Sequence, residues 1–407
     1  VSASAPLEGL QVVELARILA GPWIGQTLAD LGADVIKVES PEGDDTRRFG
    51  PPFVERADGS VGDAAYFHCC NRGKRSVVAD FKDPEECAFV LALIDRADIL
   101  IENFRTGGLA RYGLDYETVA KRNPRLIYCS VTGFGQTGPY AERAGYDAMI
   151  QAMGGIMDLT GEPDGEPQKT GVAFADLFTG LYGVIAIQAA LASRQQTGVG
   201  QHIDMALFDV MSSVLANQAM TYLVSGRVPK RMGNAHPSIV PYQVFPVADG
   251  HVMIAVGNDG QFAKLCEVIG RQALASDPRF DTNAHRVAHR HELVPLLTEA
   301  FGEVTRTELL KSLEVRGVPA GPINSVADVF ADPQILHRRM RVDLPATDLR
   351  AGAIASVRTP IIFSESTLSL ERAAPTLGAH TDEIRGELGF GPRVIRADVG
   401  AKTGAAG

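Results

Sequence analysis

Residues Leu10 to Val38 read LQVVELARILAGPWIGQTLADLGADVIKV. Leu10–Leu15 is a short run rich in β-branched and apolar residues, as a buried strand requires. Gly21-Pro22 then opens a helix-like stretch to Leu31, and Val35–Val38 is a second strand. The same rhythm continues. Glu85–Ile94 has apolar residues at helical spacing, Ile99–Glu102 reads as a strand, Tyr116–Arg122 as a short helix and Leu126–Val131 as a strand. Alternating strand and helix predicts an α/β fold around an open, mostly parallel sheet.

Further along, Phe178–Ser193 is apolar on nearly all sides and predicts a buried helix. His202–Ala206 predicts another strand and Phe208–Leu223 another helix. The character changes after the polar stretch Ser225–Pro237. Tyr242–Val247 and His251–Val256 flank Ala248-Asp249-Gly250 as a hairpin, and helices are expected at Gln261–Ile269 and His291–Phe301. The expected organisation is a large domain over residues 1–224, a smaller α+β domain over 225–330, and a return to the large domain over 331–407. Thr359–Phe363 is expected as a strand in that last part.

With 407 residues, 45% hydrophobic and 22% charged, the chain has room for more than one packed core. Its formal charge of −10 and pI near 5.4 disfavour extended binding to nucleic acid, whose phosphates an acidic surface repels. Five cysteines without a C-x-x-C pair indicate reduced thiols, expected in a cytoplasmic setting, and no zinc site. Val1–Leu10 has neither the basic nor the apolar region of a secretory signal, and no membrane span is expected.

Gly133-Phe134-Gly135-Gln136-Thr137-Gly138 matches G-x-G-x-x-G after a predicted strand. Pro139 follows at once, so the motif lacks the helix and second strand on which a dinucleotide site depends. His285 and His289 stand at helical spacing, but flanking Arg286 and Arg290 oppose a metal, and none is expected. Asp176, in Val172-Ala173-Phe174-Ala175-Asp176, precedes the very apolar helix. By position alone it is a helix cap; a rigidly held carboxylate there can equally act as a covalent nucleophile. Arg72, Lys74 and Arg75 form one basic cluster and Arg105 with Arg111 another, both candidates for phosphate contacts.

In order, Leu19–Pro22, Leu31–Glu39, Asn71–Ser76, Glu102–Phe104, Gly133–Pro139, Ala144–Asp147, Asp176, Gly233–Pro237 and Leu377–Thr381 resemble the family III CoA-transferases. That group includes formyl-CoA:oxalate CoA-transferase and the carnitine CoA-transferases. His236–Gln243 is most similar to succinate–hydroxymethylglutarate CoA-transferase and related dicarboxylate enzymes. The loop Gly257-Asn258-Asp259-Gly260-Gln261 lacks the glycine run of the oxalate enzymes. The resemblance implies a Rossmann-like large domain, a small domain and two interlocked copies in a homodimer. It puts the nucleophile on Asp176 and CoA contacts on Arg17, Lys82, Asn103, Phe104 and Arg111. Tyr146 and Asp147 fall beside the reacting centre. Ser40 replaces a basic residue that touches the nucleotide in some members, so the adenosine 3′-phosphate needs other partners.

The implied reaction moves CoA from an acyl-CoA, such as succinyl-CoA, to itaconate, glutarate or hydroxymethylglutarate. It proceeds through an aspartyl anhydride and an aspartyl-CoA thioester, with CoA thioester as substrate and no permanently bound cofactor. Arg72 and His236 are the candidates for the acceptor's distal carboxylate. Racemases of the same fold resemble Gly-His-Asp where this chain has Gly145-Tyr146-Asp147, and tyrosine is a poor base near neutrality. A nonenzymatic nucleotide-binding protein would leave the match at Asp176 without a purpose.

Overall fold

The computed structural model describes residues 4–393. Six strands form one sheet: β1 Gln11–Glu14, β2 Asp34–Glu39, β3 Arg75–Val78, β4 Ile99–Glu102, β5 Ile127–Thr132 and β6 His202–Ala206. Their order is β3-β2-β1-β4-β5-β6, and every neighbouring pair is parallel. This is the doubly wound order of dinucleotide-binding folds, in which the direction of winding reverses between β1 and β4. Val12, Val13, Ile99, Leu100 and Ile101 are all buried, as strands covered by helices on both faces must be.

Helices α1 Ala20–Asp30, α2 Pro84–Arg96, α3 Tyr116–Arg122, α4 Asp147–Met153 and α5 Phe174–Thr197 follow these strands or pack on them. α2 starts as its sequence prescribes. The Asp83 side chain accepts the Glu85 N–H at 2.8 Å and Pro84 occupies the first helical position. Phe89, Val90, Leu93 and Ile94 of α2 join Val119 of α3 and Leu100 and Tyr128 of the sheet in one apolar core. α1 and α5 cross at Gly180, where a Cβ would lie 3.0 Å from the Trp23 ring and 3.1 Å from the Ala20 carbonyl oxygen. Only glycine lets the start of α1 approach the start of α5 this closely.

α5 is longer than its apolar pattern predicts and is not buried on all sides. Ala175, Thr179, Gly183, Ile187 and Ala190 face inward, whereas Leu181, Tyr182 and Ile185 are 46, 42 and 61% exposed. Small residues let one side of the helix approach α1, while the described residues leave the other side about half exposed. Among the described residues it is the one helix long and apolar enough, by length and composition, to cross a membrane.

Contacts divide the chain into two compact units. The larger holds the six-stranded sheet with Val172–Val214 and resumes at Arg338; the smaller holds Gly155–Gly171 and Leu215–His337. In the smaller unit β7 Tyr242–Val247, β8 Gly250–Ala255 and β9 Ala320–Pro322 form an antiparallel sheet in the order β9-β8-β7. Phe245 and Ile254 of this sheet pack with Phe262, Leu297 and Phe301 in one apolar core.

Two sequence expectations fail for local reasons. The helix expected over Phe208–Leu223 is two helices, Leu207–Ser213 and Ala216–Ser225. Ala216 has φ 47° at the break, where the chain passes from one unit to the other. Thr359–Phe363 is not a strand. Pro360 lacks an N–H, and the Arg358 guanidinium takes the Thr359 and Ile361 carbonyls that a ladder would use.

Candidate active site

The loops after β1 and β4 diverge at the reversal point of the sheet, where this class of fold binds its ligands. A cavity of about 670 Å³ opens there, lined by Arg17, Asn103, Phe104, Arg105, Arg111, Tyr146, Asp147 and Asp176 among others. The floor is set by a reciprocal clamp: the Arg17 N–H donates to Asn103 Oδ1 at 2.9 Å, and Asn103 Nδ2 donates to the Arg17 carbonyl at 2.7 Å. The Asn103 carboxamide therefore joins the two diverging strands. Glu102 fixes the next residue, accepting the Phe104 N–H at 2.8 Å. Burial pushes the Glu102 carboxyl up to about 7, although the Ser130 hydroxyl and the Phe104 N–H oppose the rise.

Asp176 is the third residue of α5 and does not cap it. That task falls to Asp147, at the start of α4, whose Oδ1 accepts the N–H groups of Ala175 at 2.8 Å and Asp176 at 3.3 Å. Gln151, one turn along α4, donates to the other Asp147 oxygen at 2.7 Å. Among the described residues no group donates a hydrogen bond to the Asp176 carboxylate. Burial, and then the Asp147 charge, raise its carboxyl from 3.8 to about 7. The phenol of Tyr66 is pushed up first by burial and then by the Asp176 charge, which brings Tyr66 into the electrostatic surroundings of that carboxylate.

The G-x-G-x-x-G segment serves this site by close approach. A Cβ on Gly133 would lie 2.6 Å from the Gly145 Cα, so the loop after β5 lies backbone to backbone against the residue preceding Tyr146. No helix follows Gly138 directly; the next begins at Asp147.

Cations crowd the cavity in an acidic protein. Arg17, Arg105, Arg111 and Arg143 all line it, and of these only Arg17 makes an ion pair among the described residues, with Asp45 at 2.9 Å. Arg143 escapes a reading by motif. Its signal is the neighbouring Tyr140, over whose ring the guanidinium sits at 4.5 Å. Leu19 and Ala20 at the start of α1 also line the cavity, and their N–H groups bond to no described protein group.

The other candidates lie elsewhere. Arg72 is only 4% exposed and is paired with Asp30, to which its Nε donates at 2.9 Å, so it is a buried structural cation and not a cavity residue. Lys74 and Arg75 are likewise engaged, with Glu14 at 2.8 Å and with Asp34, Glu383 and Glu387. The same burial removes that cluster as a phosphate site. Lys82 is exposed and outside the lining, beside Phe81, whose ring packs on Phe104 and Tyr112. His236 belongs to the smaller unit, where its ring lies 5.2 Å from that of Tyr242 and its Nδ1 accepts the Ser238 N–H at 3.1 Å.

Comparison with known proteins identifies the family. The model of "CoA-transferase family III" matches residues 7–381. A succinate–glutarate CoA-transferase of Agrobacterium fabrum is 59% identical over 384 residues, 94% of this chain and 96% of that protein. The succinyl-CoA:glutarate CoA-transferase of Mus musculus is 42% identical over 397 residues, covering 97% and 88% of the two chains. The crystal structure of a CAIB/BAIF family protein from Brucella suis superposes with a TM-score of 0.85 at 63% identity, covering 95% of this chain and all of that one. A match over nearly the whole length, on a sheet whose reversal point carries a basic cavity and a buried carboxylate, makes this chain a member of CoA-transferase family III, and an enzyme that transfers CoA.

Proposed function

We propose that the enzyme moves CoA from succinyl-CoA to a dicarboxylic acid of the glutarate class, with Asp176 as the covalent nucleophile. The observation that carries the reading is the Asp176 carboxylate itself: it lines a cavity rich in arginine, accepts no hydrogen bond from any described residue, and is relieved of capping by Asp147. The relatives named for succinyl-CoA and glutarate support the acid pair. Hydroxymethylglutarate has the carboxylate spacing of glutarate and itaconate that of succinate, and both are further acceptors to assay.

A carboxylate without donors keeps its lone pairs available for attack. One Asp176 oxygen attacks the thioester carbonyl of succinyl-CoA; the C–S bond breaks, leaving a succinyl–aspartyl anhydride and CoA thiolate. The thiolate attacks the aspartyl carbonyl, releasing succinate and forming an aspartyl-CoA thioester. The acceptor carboxylate attacks that thioester, giving a new anhydride and thiolate, and thiolate attack on its acceptor carbonyl yields the new acyl-CoA and free Asp176. Every step exchanges one activated acyl group for another, so no external energy source is consumed. Each passes through a tetrahedral oxyanion, for which the free N–H groups of Leu19 and Ala20 are suitable donors. Arg17, Arg105, Arg111 and Arg143 complement the pyrophosphate and 3′-phosphate of CoA, and with Ser40 neutral, Arg143 is the added cation. Phe104 and Asn103 form the wall against which the pantetheine arm runs.

We further propose a homodimer in which a second copy covers the apolar face of α5. Leu181, Tyr182 and Ile185 form a ridge on one turn of that helix, and apolar surface of this kind is stabilised by burial.

The test is covalent. Incubation with succinyl-CoA followed by peptide mass spectrometry is expected to find an acyl or CoA adduct on Asp176, and Asp176→Ala is expected to bind CoA but not transfer it. An unmodified Asp176, or an active Asp176→Ala, overturns the reading.

A further inference from the structure

The segment that leaves β1 has its backbone tied down by side chains from other parts of the larger unit. The Ala16 carbonyl accepts from Lys37 Nζ at 2.8 Å, and Asn103 takes both polar groups of Arg17. The Ile18 N–H donates to both oxygens of Asp44 at 3.3 Å, and the Ile18 carbonyl accepts from Cys70 Sγ at 3.5 Å. Within this pinned segment Ile18 has φ 74°, in the left-handed region. A β-branched side chain is sterically disfavoured there, so the conformation persists only if its surroundings impose it.

Asp44 is built to impose it. It is completely buried and pairs with Lys37 Nζ at 2.9 Å, while Lys37 also pairs with Glu14 at 3.0 Å. The Thr46 N–H and hydroxyl donate to Asp44 Oδ1 at 3.0 and 2.7 Å. Burial alone would push the Asp44 carboxyl up, but the Lys37 ammonium and these hydrogen bonds hold it down at about 2. The carboxylate is thus ionised, held by several partners and turned toward the Ile18 N–H. The residues that follow, Leu19 and Ala20, line the cavity, and their N–H groups bond to no described protein group.

We infer that Asp44 is a positioning residue for CoA transfer, which holds Ile18 in its left-handed conformation and thereby aims the Leu19 and Ala20 N–H groups at the reacting carbonyl. The inference rests on the reading of this cavity as the acyl-CoA site. Glycine adopts positive φ without the penalty that isoleucine meets, so a glycine at position 18 should need Asp44 far less.

That substitution supplies the test, on the full-length enzyme with succinyl-CoA and glutarate. Asp44→Ala should lower kcat tenfold or more, with a smaller change in KM for succinyl-CoA, and should lower Tm. Asp44→Asn keeps one acceptor oxygen for Ile18 and should retain more turnover than Asp44→Ala. Adding Ile18→Gly to Asp44→Ala should recover most of the lost kcat, measured against the Ile18→Gly single variant, while Tm stays low because Lys37 still lacks one of its two carboxylate partners and keeps only Glu14. No recovery, or recovery of kcat and Tm together, overturns the positioning role. If Asp44→Ala does not fold, Lys37→Met/Asp44→Ala removes both buried charges and is compared with and without Ile18→Gly by the same criterion. Asp176→Ala assayed in parallel separates the two ideas. If it is active, the cavity reading falls and takes this inference with it; if it is inactive and Ile18→Gly gives no rescue, only the role of Asp44 falls.

Discussion

Asp147 accepts the backbone N–H of Asp176 at 3.3 Å and at the same time raises the carboxyl of Asp176 by its charge. One carboxylate caps the helix, and the other makes no capping bond. Asp147→Asn keeps an acceptor for the helix and removes the charge, so Asp176 should titrate lower and the rise of kcat/KM with pH should move to lower pH. Asp147→Ala should instead lose about 0.5–2 kcal/mol of stability with the cap. Rate profiles against pH for both variants, with denaturant melts, check this; an unmoved profile in Asp147→Asn removes the electrostatic link.

The pH dependence has a definite sign. As the proposed nucleophile, Asp176 would attack only when ionised, and burial pushes its carboxyl up to about 7 from its ordinary 3.8. For free enzyme, kcat/KM should therefore rise as pH increases through about 7. The folded state holds the Asp176 proton more tightly than the unfolded chain. Stability from this group is full below about pH 4 and is lost as pH rises through about 7. Asp176→Asn should flatten that loss. Glu102 also titrates near 7, so Glu102→Gln is the control: it should keep the activity limb, and its disappearance would transfer the assignment to Glu102.

Arg72 offers a contrast between burial and function. Arg72→Met strands Asp30 in the interior and should cost about 3–5 kcal/mol, while Asp30→Leu/Arg72→Met should recover part of the loss. The ratio of activities with glutarate and with a monocarboxylate of similar length should not change. Denaturant melts and parallel kinetics check both statements; a selective loss with glutarate would return Arg72 to the acceptor site.

The exposed ridge of α5 predicts the assembly. Ile185→Glu places a charge at its most exposed position and should convert a dimer seen by light scattering into monomer or aggregate, with activity lost at low protein concentration. A variant that stays dimeric and active would mean that this face lies outside the interface.

Much of the larger unit was legible residue by residue. Ile99–Glu102, Tyr116–Arg122 and His202–Ala206 fall where their patterns predict, because β-branched runs and helical spacing are local properties. Pro360 ended the reading of Thr359–Phe363 as a strand, and there too the cause is local once the Arg358 contacts are seen. The resemblance likewise brought Asp176, Arg17, Lys82, Asn103, Phe104 and Arg111 forward as a set, and the fold brings all of them but Lys82 to one cavity.

What the chain alone determined is therefore the alternation of strands and helices, the acidic balance, and which residue types stand in motif order. Tertiary structure alone decided that Asp147 and not Asp176 caps α5, that Arg72 is spent on Asp30, and that Arg143 joins the cavity. It also put Asp44, 26 residues along the chain, on the N–H of Ile18. The physical reason is the same in each case. A carboxylate or guanidinium carries identical chemistry wherever it stands in the sequence, and its burial and its partners come from segments that only the folded sheet brings within hydrogen-bonding distance.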